Sequence, residues 1–215
     1  MTHLYLIRHG RYIREADGRL VDHRLTSVGV RQAELLRDRL ATGEIKADVL
    51  VASTLPRARH TAEIIAPALG LPVQFDADFE EWRNNDGSLS MEEFNEMWSE
   101  VPQDQIPYHH WITGCENWLE FQLRATSAFN RLLLEHAGKT IVLVCHGGII
   151  DMSFVYFFGL GRFSFPKATT EARHTAITSW KEVDFPGFPA VWTLQSYNDD
   201  RHLAGMVFKD GESIS

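Results

Sequence analysis

The apolar residues of this chain fall into short dense runs separated by longer stretches with helical spacing. Leu4-Tyr5-Leu6-Ile7, Val49-Leu50-Val51 and Ile141-Val142-Leu143-Val144-Cys145 are nearly continuous, the pattern of strands buried on both faces. Between them, Thr26 or Ser27 is placed to cap a helix running to about residue 40. Val28, Ala33, Leu35, Leu36 and Leu40 share one face of it, with Gln32, Arg37 and Arg39 elsewhere. Pro56 suits a helix's first turn, and that helix runs to 69, where Gly70 and Pro72 end it. Residues 72–79 read as a third short strand. A long helix is predicted over 116–136, with Leu119, Leu123, Phe129, Leu132 and Leu133 inward, and an apolar helix over 149–159. Segments 176–183 and 191–196, joined by a Pro/Gly turn, predict a hairpin at a sheet edge.

Strands alternating with helices imply an α/β fold: a three-layer α/β/α sandwich with a mostly parallel sheet and an antiparallel edge. Two stretches interrupt it. Residues 11–25 are irregular and arginine-rich, with Asp17-Gly18 as a turn signal. Residues 82–115 carry Asn84, Asn85, Gly87, Pro102, Pro107, a helical patch at 90–99, and Trp82, Trp98 and Trp111. The whole chain reads as one domain, 1–215, with a lid-like insertion at about 82–115 and a polar tail fraying beyond 210.

Composition narrows the class. With 44% hydrophobic and 23% charged residues this is an ordinary globular chain. No apolar run approaches the ~20 residues of a membrane span, and the N-terminus lacks a signal peptide's regions. Cys115 and Cys145 are too few for a disulfide framework; both are expected to be buried thiols, and a cytoplasmic location follows. A net charge of −8 argues against nucleic-acid binding. Yet residues 1–62 hold 11 Lys/Arg against 7 Asp/Glu, which would suit attraction of a small anion or simply a solvated helix face.

Candidate chemistry gathers at the strand ends. The first strand delivers Arg8 and His9 before Gly10. The second delivers Ser53 and, one helical turn on, Arg57. The strand at 141–145 delivers His146 before Gly147-Gly148. In a parallel sheet these ends share one edge, where open α/β sheets bind ligands. Two imidazoles and two guanidiniums in one crevice make physical sense chiefly as a phosphate or sulfate cradle, reinforced by the helix N-terminus near Pro56. There is no glycine-rich triphosphate loop. The ten histidines form neither an HExxH helix nor a Cys/His pattern, so no metal site is expected.

Leu6-Ile7-Arg8-His9-Gly10, Ser53-Thr54-Leu55-Pro56-Arg57-Ala58 and Val144-Cys145-His146-Gly147-Gly148 together resemble the histidine phosphatase superfamily, also called the phosphoglycerate mutase-like fold. Supporting matches are Leu25-Thr26-Ser27-Val28-Gly29 with Gln32-Ala33, and Tyr197-Asn198-Asp199 with His202-Leu203. The resemblance implies His9 as the nucleophile that accepts a phosphoryl group, with Arg8, Arg57 and His146 holding its oxygens. It implies Glu81 as proton donor, with Glu80 as rival, because this segment departs from the family's glycine-bearing pattern after the acid. No cofactor is implied. Ser53 is placed either to contact phosphate or to cap the following helix. Arg11, Arg14, Asn84, Asn85, His174 and Thr175 are further substrate-contact candidates, and the tryptophans would serve as lid packing or as an aromatic wall for an apolar leaving group.

The expected activity is hydrolysis of a small phosphomonoester through phosphohistidine, with inorganic phosphate released. Cofactor-dependent mutases of the superfamily follow Arg-His-Gly with a Glu-Ser-x-x-Trp-Asn type sequence, where this chain has Arg11-Tyr12-Ile13-Arg14. A phosphoglycerate mutase-type transferase and a non-catalytic phospho-ligand module are the alternatives. Beyond the small-molecule ester and phosphate, no nucleic acid or membrane partner is expected, and a homodimer is left open.

Overall fold

A computed structural model describes residues 1–12, 24–160, 165–187 and 190–206. Strand β1 (His3–Arg8) lies inside a sheet with β2 (Val49–Ala52), β3 (Val73–Phe75), β4 (Thr140–Cys145), β5 (Ile177–Val183) and β6 (Val191–Asp199), in the order β3-β2-β4-β1-β5-β6. The first four are mutually parallel; β5 runs antiparallel to β1, and β6 to β5. The predicted mostly parallel sheet with an antiparallel edge is what the chain forms.

Side-chain alternation divides two cores. Leu4, Leu6, Val49, Val51, Ile141 and Leu143 face α4 (Trp118–Glu135) and α5 (Gly147–Phe158). Ile7, Leu50, Ala52, Val142 and Val144 face α1 (Ser27–Leu40) and α2 (Pro56–Leu69). Period-two alternation thus sends adjacent residues to opposite helical layers, which is why the strands read as unbroken apolar runs. Register aligns the functional ends: Arg8 pairs with Cys145 and Ala52 with Val144, so the next residues, His9, Ser53 and His146, emerge together.

Local chemistry fixes the helices. Thr26 caps α1 by accepting the Gly29 N–H at 3.0 Å. Leu55 caps α2 without a side-chain bond, Pro56 fills its first turn, and Gly70 at φ 65° closes it. Asn117 and Glu120 form a capping box on α4, as Ser90 and Glu93 do on α3 (Met91–Glu100).

Several sequence expectations need correction. Gln32, expected away from the core face, is fully buried because its Oε1 accepts the Arg11 N–H at 2.9 Å. Leu123, expected inward, is 69% exposed; Phe121, Ala125 and Ala128 form the inner stripe instead. The strand at 72–79 shortens to β3, because Asp76 turns the chain into a 3-10 turn, Ala77–Phe79, by accepting the Asp78 N–H at 2.9 Å. Cys145 is buried, but Cys115 is only half-buried in a surface turn. The Asp17-Gly18 turn, Arg14 and the tail beyond 210 lie outside the described residues.

Residues 82–115 carry α3, a 3-10 turn (Ile106–Tyr108) and a small apolar cluster of Phe94, Ile106 and Trp111. Trp98 stacks on Trp111 at 4.4 Å, and Trp82 joins this cluster to the α4–α5 core. Among the described residues no helix is long and apolar enough to cross a membrane.

The β1 end is held against α1 by glycine. A Cβ on Gly29 would lie 1.9 Å from the Arg11 carbonyl oxygen, and one on Gly10 2.7 Å from that of Gly29. Alanine at an ordinary helical position is worth up to ~1 kcal/mol relative to glycine. Gly29→Ala should instead destabilise the protein by at least about 2 kcal/mol, since rigid backbone must move, read as a lower urea midpoint. A midpoint at or above wild type would contradict this close approach.

Candidate functional site

His9 is the best-specified side chain at the sheet's C-terminal edge. It is 3% exposed, and its two ring nitrogens meet partners of opposite kind. Nδ1 lies 2.8 Å from the Gly10 carbonyl oxygen, which can only accept, so Nδ1 carries the proton. Nε2 lies 3.0 Å from Arg57 Nε, which can only donate, so Nε2 presents its lone pair. Both contacts assign the same neutral tautomer. Burial, followed by the charges of Arg57, His146, His174 and Arg8, holds its pKa well below the ordinary histidine value.

The groups around it come from four elements. Arg57, in the first turn of α2, is buried, and its guanidinium stands 4.7 Å over the Tyr12 ring. Thr61, one turn later, accepts the Gly10 N–H at 3.0 Å and donates to the Arg57 carbonyl at 2.8 Å, locking α2 to the end of β1. His146 is fully buried, with its ring centroid 5.1 Å from that of His9. Its Nε2 pairs with Ser53 Oγ at 2.8 Å; Nδ1 has no hydrogen-bond partner among the described residues. Its pKa too is well below ordinary, from burial and then Arg57, Arg8 and Arg124. Ser53 Oγ orients His146 and also accepts the N–H of Leu55, the N-cap residue of α2, at 3.3 Å. Arg8 reaches the Ala172 carbonyl through Nη1 at 2.5 Å.

His174 lies behind His9, with Nδ1 donating to the His9 carbonyl at 2.9 Å. The next residue, Thr175, adopts φ 59°, a conformation that β-branched side chains rarely tolerate. Its N–H bonds the Arg8 carbonyl at 2.9 Å, its Oγ1 the His174 carbonyl at 2.7 Å and His202 Nε2 at 2.9 Å. These bonds hold the strained turn and so fix His174 against His9. Burial and the charge of Arg39 lower the His202 pKa to about 4.

Two adjacent carboxylates behave differently. Glu80 is engaged by Thr54 Oγ1 and by Arg83 Nε at 2.8 Å. Glu81 lies at the start of α5, with Oε2 accepting the Gly148 N–H at 3.0 Å and Oε1 accepting the Trp82 N–H at 3.0 Å. A Cβ on Gly148 would fall 2.2 Å from Glu81 Oε1, so glycine is required for the carboxylate to sit there. The irregular backbone before Glu81 is tied down by Arg124. Its guanidinium donates to the carbonyls of Asp78 (2.7 Å), Glu80 (3.0 Å) and Glu81 (3.2 Å) and clasps Glu116 at 2.6 and 2.7 Å.

These residues border a cavity of about 490 Å³. Arg8, His9, Arg57, Glu81 and Gly148 line its inner end; Trp82, Trp118, Phe121 and Phe165 line a wall, and Asn84 and Asn85 are also at its border. Ser53, His146 and His174 stand behind this lining, and Arg11 uses its backbone N–H on Gln32. Tyr12, Thr61, Arg124 and Asp151 belong to the arrangement but are not evident from sequence motifs. Asp151 borders the cavity and accepts from the Thr170 N–H at 2.7 Å and from its hydroxyl; burial raises its pKa. Among the described residues no group of three or more His, Cys, Asp or Glu is placed to hold a metal ion.

Residues 4–200 match the family described as histidine phosphatase superfamily (branch 1). A probable phosphoglycerate mutase GpmB of Yersinia pestis is 27% identical over 211 residues, covering 94% of this chain and 95% of that protein. Among solved structures, Bacillus stearothermophilus YhfR superposes with a TM-score of 0.77 at 23% identity, over 94% of this chain and 100% of that one. Entamoeba histolytica phosphoserine phosphatase, solved with 3-phosphoglyceric acid, gives 0.70 at 25% identity over the same shares. The fold is phosphoglycerate mutase-like.

Since His9 and His146 are held neutral in the folded state but regain a pKa of ~6.5 when unfolded, unfolding takes up protons below that pH. Stability should therefore fall as pH drops through about 6.5 and below. Nitrogen-15 NMR in phosphate-free buffer near pH ~6 should find His9 neutral with its proton on Nδ1, whereas an ordinary histidine is largely charged there. A charged His9, or one protonated on Nε2, would contradict the assigned tautomer.

Proposed function

This chain belongs to the histidine phosphatase superfamily, branch 1, and on that footing we propose that it is a metal-independent phosphomonoesterase working through phosphohistidine on His9. The observation that carries the reading is the imidazole itself: a neutral ring with Nδ1–H tied to Gly10 and an unprotonated Nε2 that accepts from Arg57, at the inner end of a cavity. A nitrogen lone pair is a competent nucleophile only while unprotonated, and burial, together with the surrounding cations, keeps it so.

In the resting enzyme the Arg57 Nε–H covers that lone pair. A phosphate dianion entering the cup is a better acceptor for a guanidinium than a neutral imidazole is, so Arg57 turns to the phosphate oxygens and uncovers Nε2. Arg8, and His146 through its remaining Nδ1–H, are the other donors to the non-bridging oxygens. Nε2 attacks phosphorus, the bond from phosphorus to the ester oxygen breaks, and Glu81 in its acid form gives its proton to the leaving alkoxide. Water then attacks the phosphohistidine while Glu81, now ionised, removes its proton. The P–N bond breaks and inorganic phosphate leaves. Positioning and charge stabilisation do most of the work in such transfers.

Glu81 is preferred to Glu80 because Glu80 is engaged by Thr54 and Arg83, while Glu81 stands over the glycine pair opening α5. The mutase reading draws on the name of the Yersinia relative; it requires a phosphorylated sugar acid as acceptor in place of water. The reaction is proposed for the cytoplasm, on a small organic ester.

Phosphate release from a panel of phosphomonoesters should fall at least about a thousandfold in His9→Ala. Glu81→Gln should slow turnover of alkyl phosphates by about a hundredfold or more, yet leave fast the initial burst of p-nitrophenol from p-nitrophenyl phosphate, whose leaving group needs no proton, with slow phosphate release afterwards. Unchanged turnover in His9→Ala, or transfer to 3-phosphoglycerate without phosphate release, would overturn the reading.

A further inference from the structure

We propose that the alcohol esterified to the phosphate is an uncharged aromatic or similarly flat apolar group, held against Trp82 and Phe165, rather than a second anionic group such as a sugar acid's carboxylate. This rests on the phosphomonoesterase reading and names its substrate class.

The wall that receives the leaving group is continuous with the acid that would protonate it, because Trp82 directly follows Glu81. The Trp82 indole is fixed at its polar tip: Nε1 donates to the Glu116 carbonyl at 3.1 Å, which leaves the apolar part of the ring for packing and for the cavity. Its ring centroid lies 6.2 Å from Phe165 and 5.1 Å from Trp118, and Phe165 lies 4.9 Å from Trp118. Trp82 and Phe165 are half-buried, whereas Trp118 is buried, so the first two supply the exposed surface of this cluster. An aromatic guest can add an edge-to-face or offset contact there, with apolar burial as the larger gain.

Charge on the same border points the same way. Glu80 and Asp151 border the cavity as acceptors engaged by Arg83 and Thr170, and neither offers a carboxylate a donor. Arg83 borders it too, but its guanidinium is already bracketed by Glu80 at 2.8 Å and Glu116 at 3.7 Å. A carboxylate on the substrate would compete with two carboxylates for that cation. An uncharged ring meets no such competition, and ~490 Å³ is within the range of cavities that enclose a small organic ligand.

Phosphonates, which lack the scissile ester bond, separate this inference from the catalytic one. Calorimetry on the wild-type protein should find 3-phenylpropylphosphonate bound about tenfold or more tightly than either methylphosphonate or 4-carboxybutylphosphonate. In Phe165→Ala the preference for the phenyl ligand should shrink to within about threefold. Hydrolysis should mirror it: 2-phenylethyl phosphate should show a KM about tenfold below that of 2-hydroxyethyl phosphate. Equal binding of the three phosphonates, or tighter binding of the carboxylate ligand, overturns the inference even if every ester is hydrolysed. Selective phenyl binding without any phosphate release upholds the ligand class and defeats the catalytic reading instead.

Discussion

A histidine that must stay neutral next to fixed positive charge is the constraint on which the rest of the structure depends. Arg57 Nε approaches His9 Nε2 to 3.0 Å, and His146 and His174 hold their rings 5.1 and 5.3 Å away. In a buried setting, a proton on His9 would be repelled by Arg57 and Arg8 with little water to screen it. The lone pair is thereby preserved. In the proposed reaction the same cations would also receive the phosphate dianion, so that one arrangement would keep the nucleophile active and recruit its target.

Holding such a cluster together requires rigid backbone. β1 supplies it from inside the sheet, between parallel β4 and antiparallel β5. Gly10 and Gly29 let α1 come so close that a Cβ on either glycine would collide with a carbonyl oxygen, and Thr61 bonds the Gly10 N–H from α2. On the other side, the strained Thr175 turn is pinned by bonds to Arg8, His174 and His202. Glu81 is held by other means. The chain between β3 and α3 has little regular structure around Glu81; Arg124 satisfies carbonyls that strand or helix bonds would otherwise take, and Glu116 holds Arg124 in place and accepts the Arg83 N–H.

Much of this was legible in the residues because it follows from periodicity. The unbroken runs at β1, β2 and β4 predict a parallel sheet covered on two faces, and a parallel sheet brings Arg8, His9, Ser53, Arg57 and His146 to one edge whatever their separation in sequence. What was hidden depends on non-local pairing. Gln32 is inside because the Arg11 backbone needs an acceptor there, and no helical pattern reveals a partner 21 residues away. Leu123 is outside because α4 turns its small residues, Ala125 and Ala128, to the sheet, and an apolar residue one step off that stripe meets solvent. Arg124 reads as an ordinary charged residue on a helix; only the folded backbone reveals three carbonyls converging on it. Ser53 next to a helix start looks like a local helix-start residue, and its Oγ does accept the Leu55 N–H, but the same hydroxyl also meets His146, a residue 93 positions on.

The aromatic cluster of 82–118 links these levels. Of the six tryptophans in 215 residues four, Trp82, Trp98, Trp111 and Trp118, pack in one patch that begins at the neighbour of Glu81. The patch stabilises the insertion and presents part of its surface to the cavity. The central claim nevertheless concerns a single bond, from Nε2 of His9 to phosphorus. Rapid mixing with a turning-over phosphomonoester, an alkaline denaturing quench and peptide mass mapping test it directly. One phosphoryl group on the peptide carrying His9, stable to base, lost in acid and formed as fast as the first turnover, is the predicted result. Steady phosphate release with an unmodified His9 throughout would contradict the account.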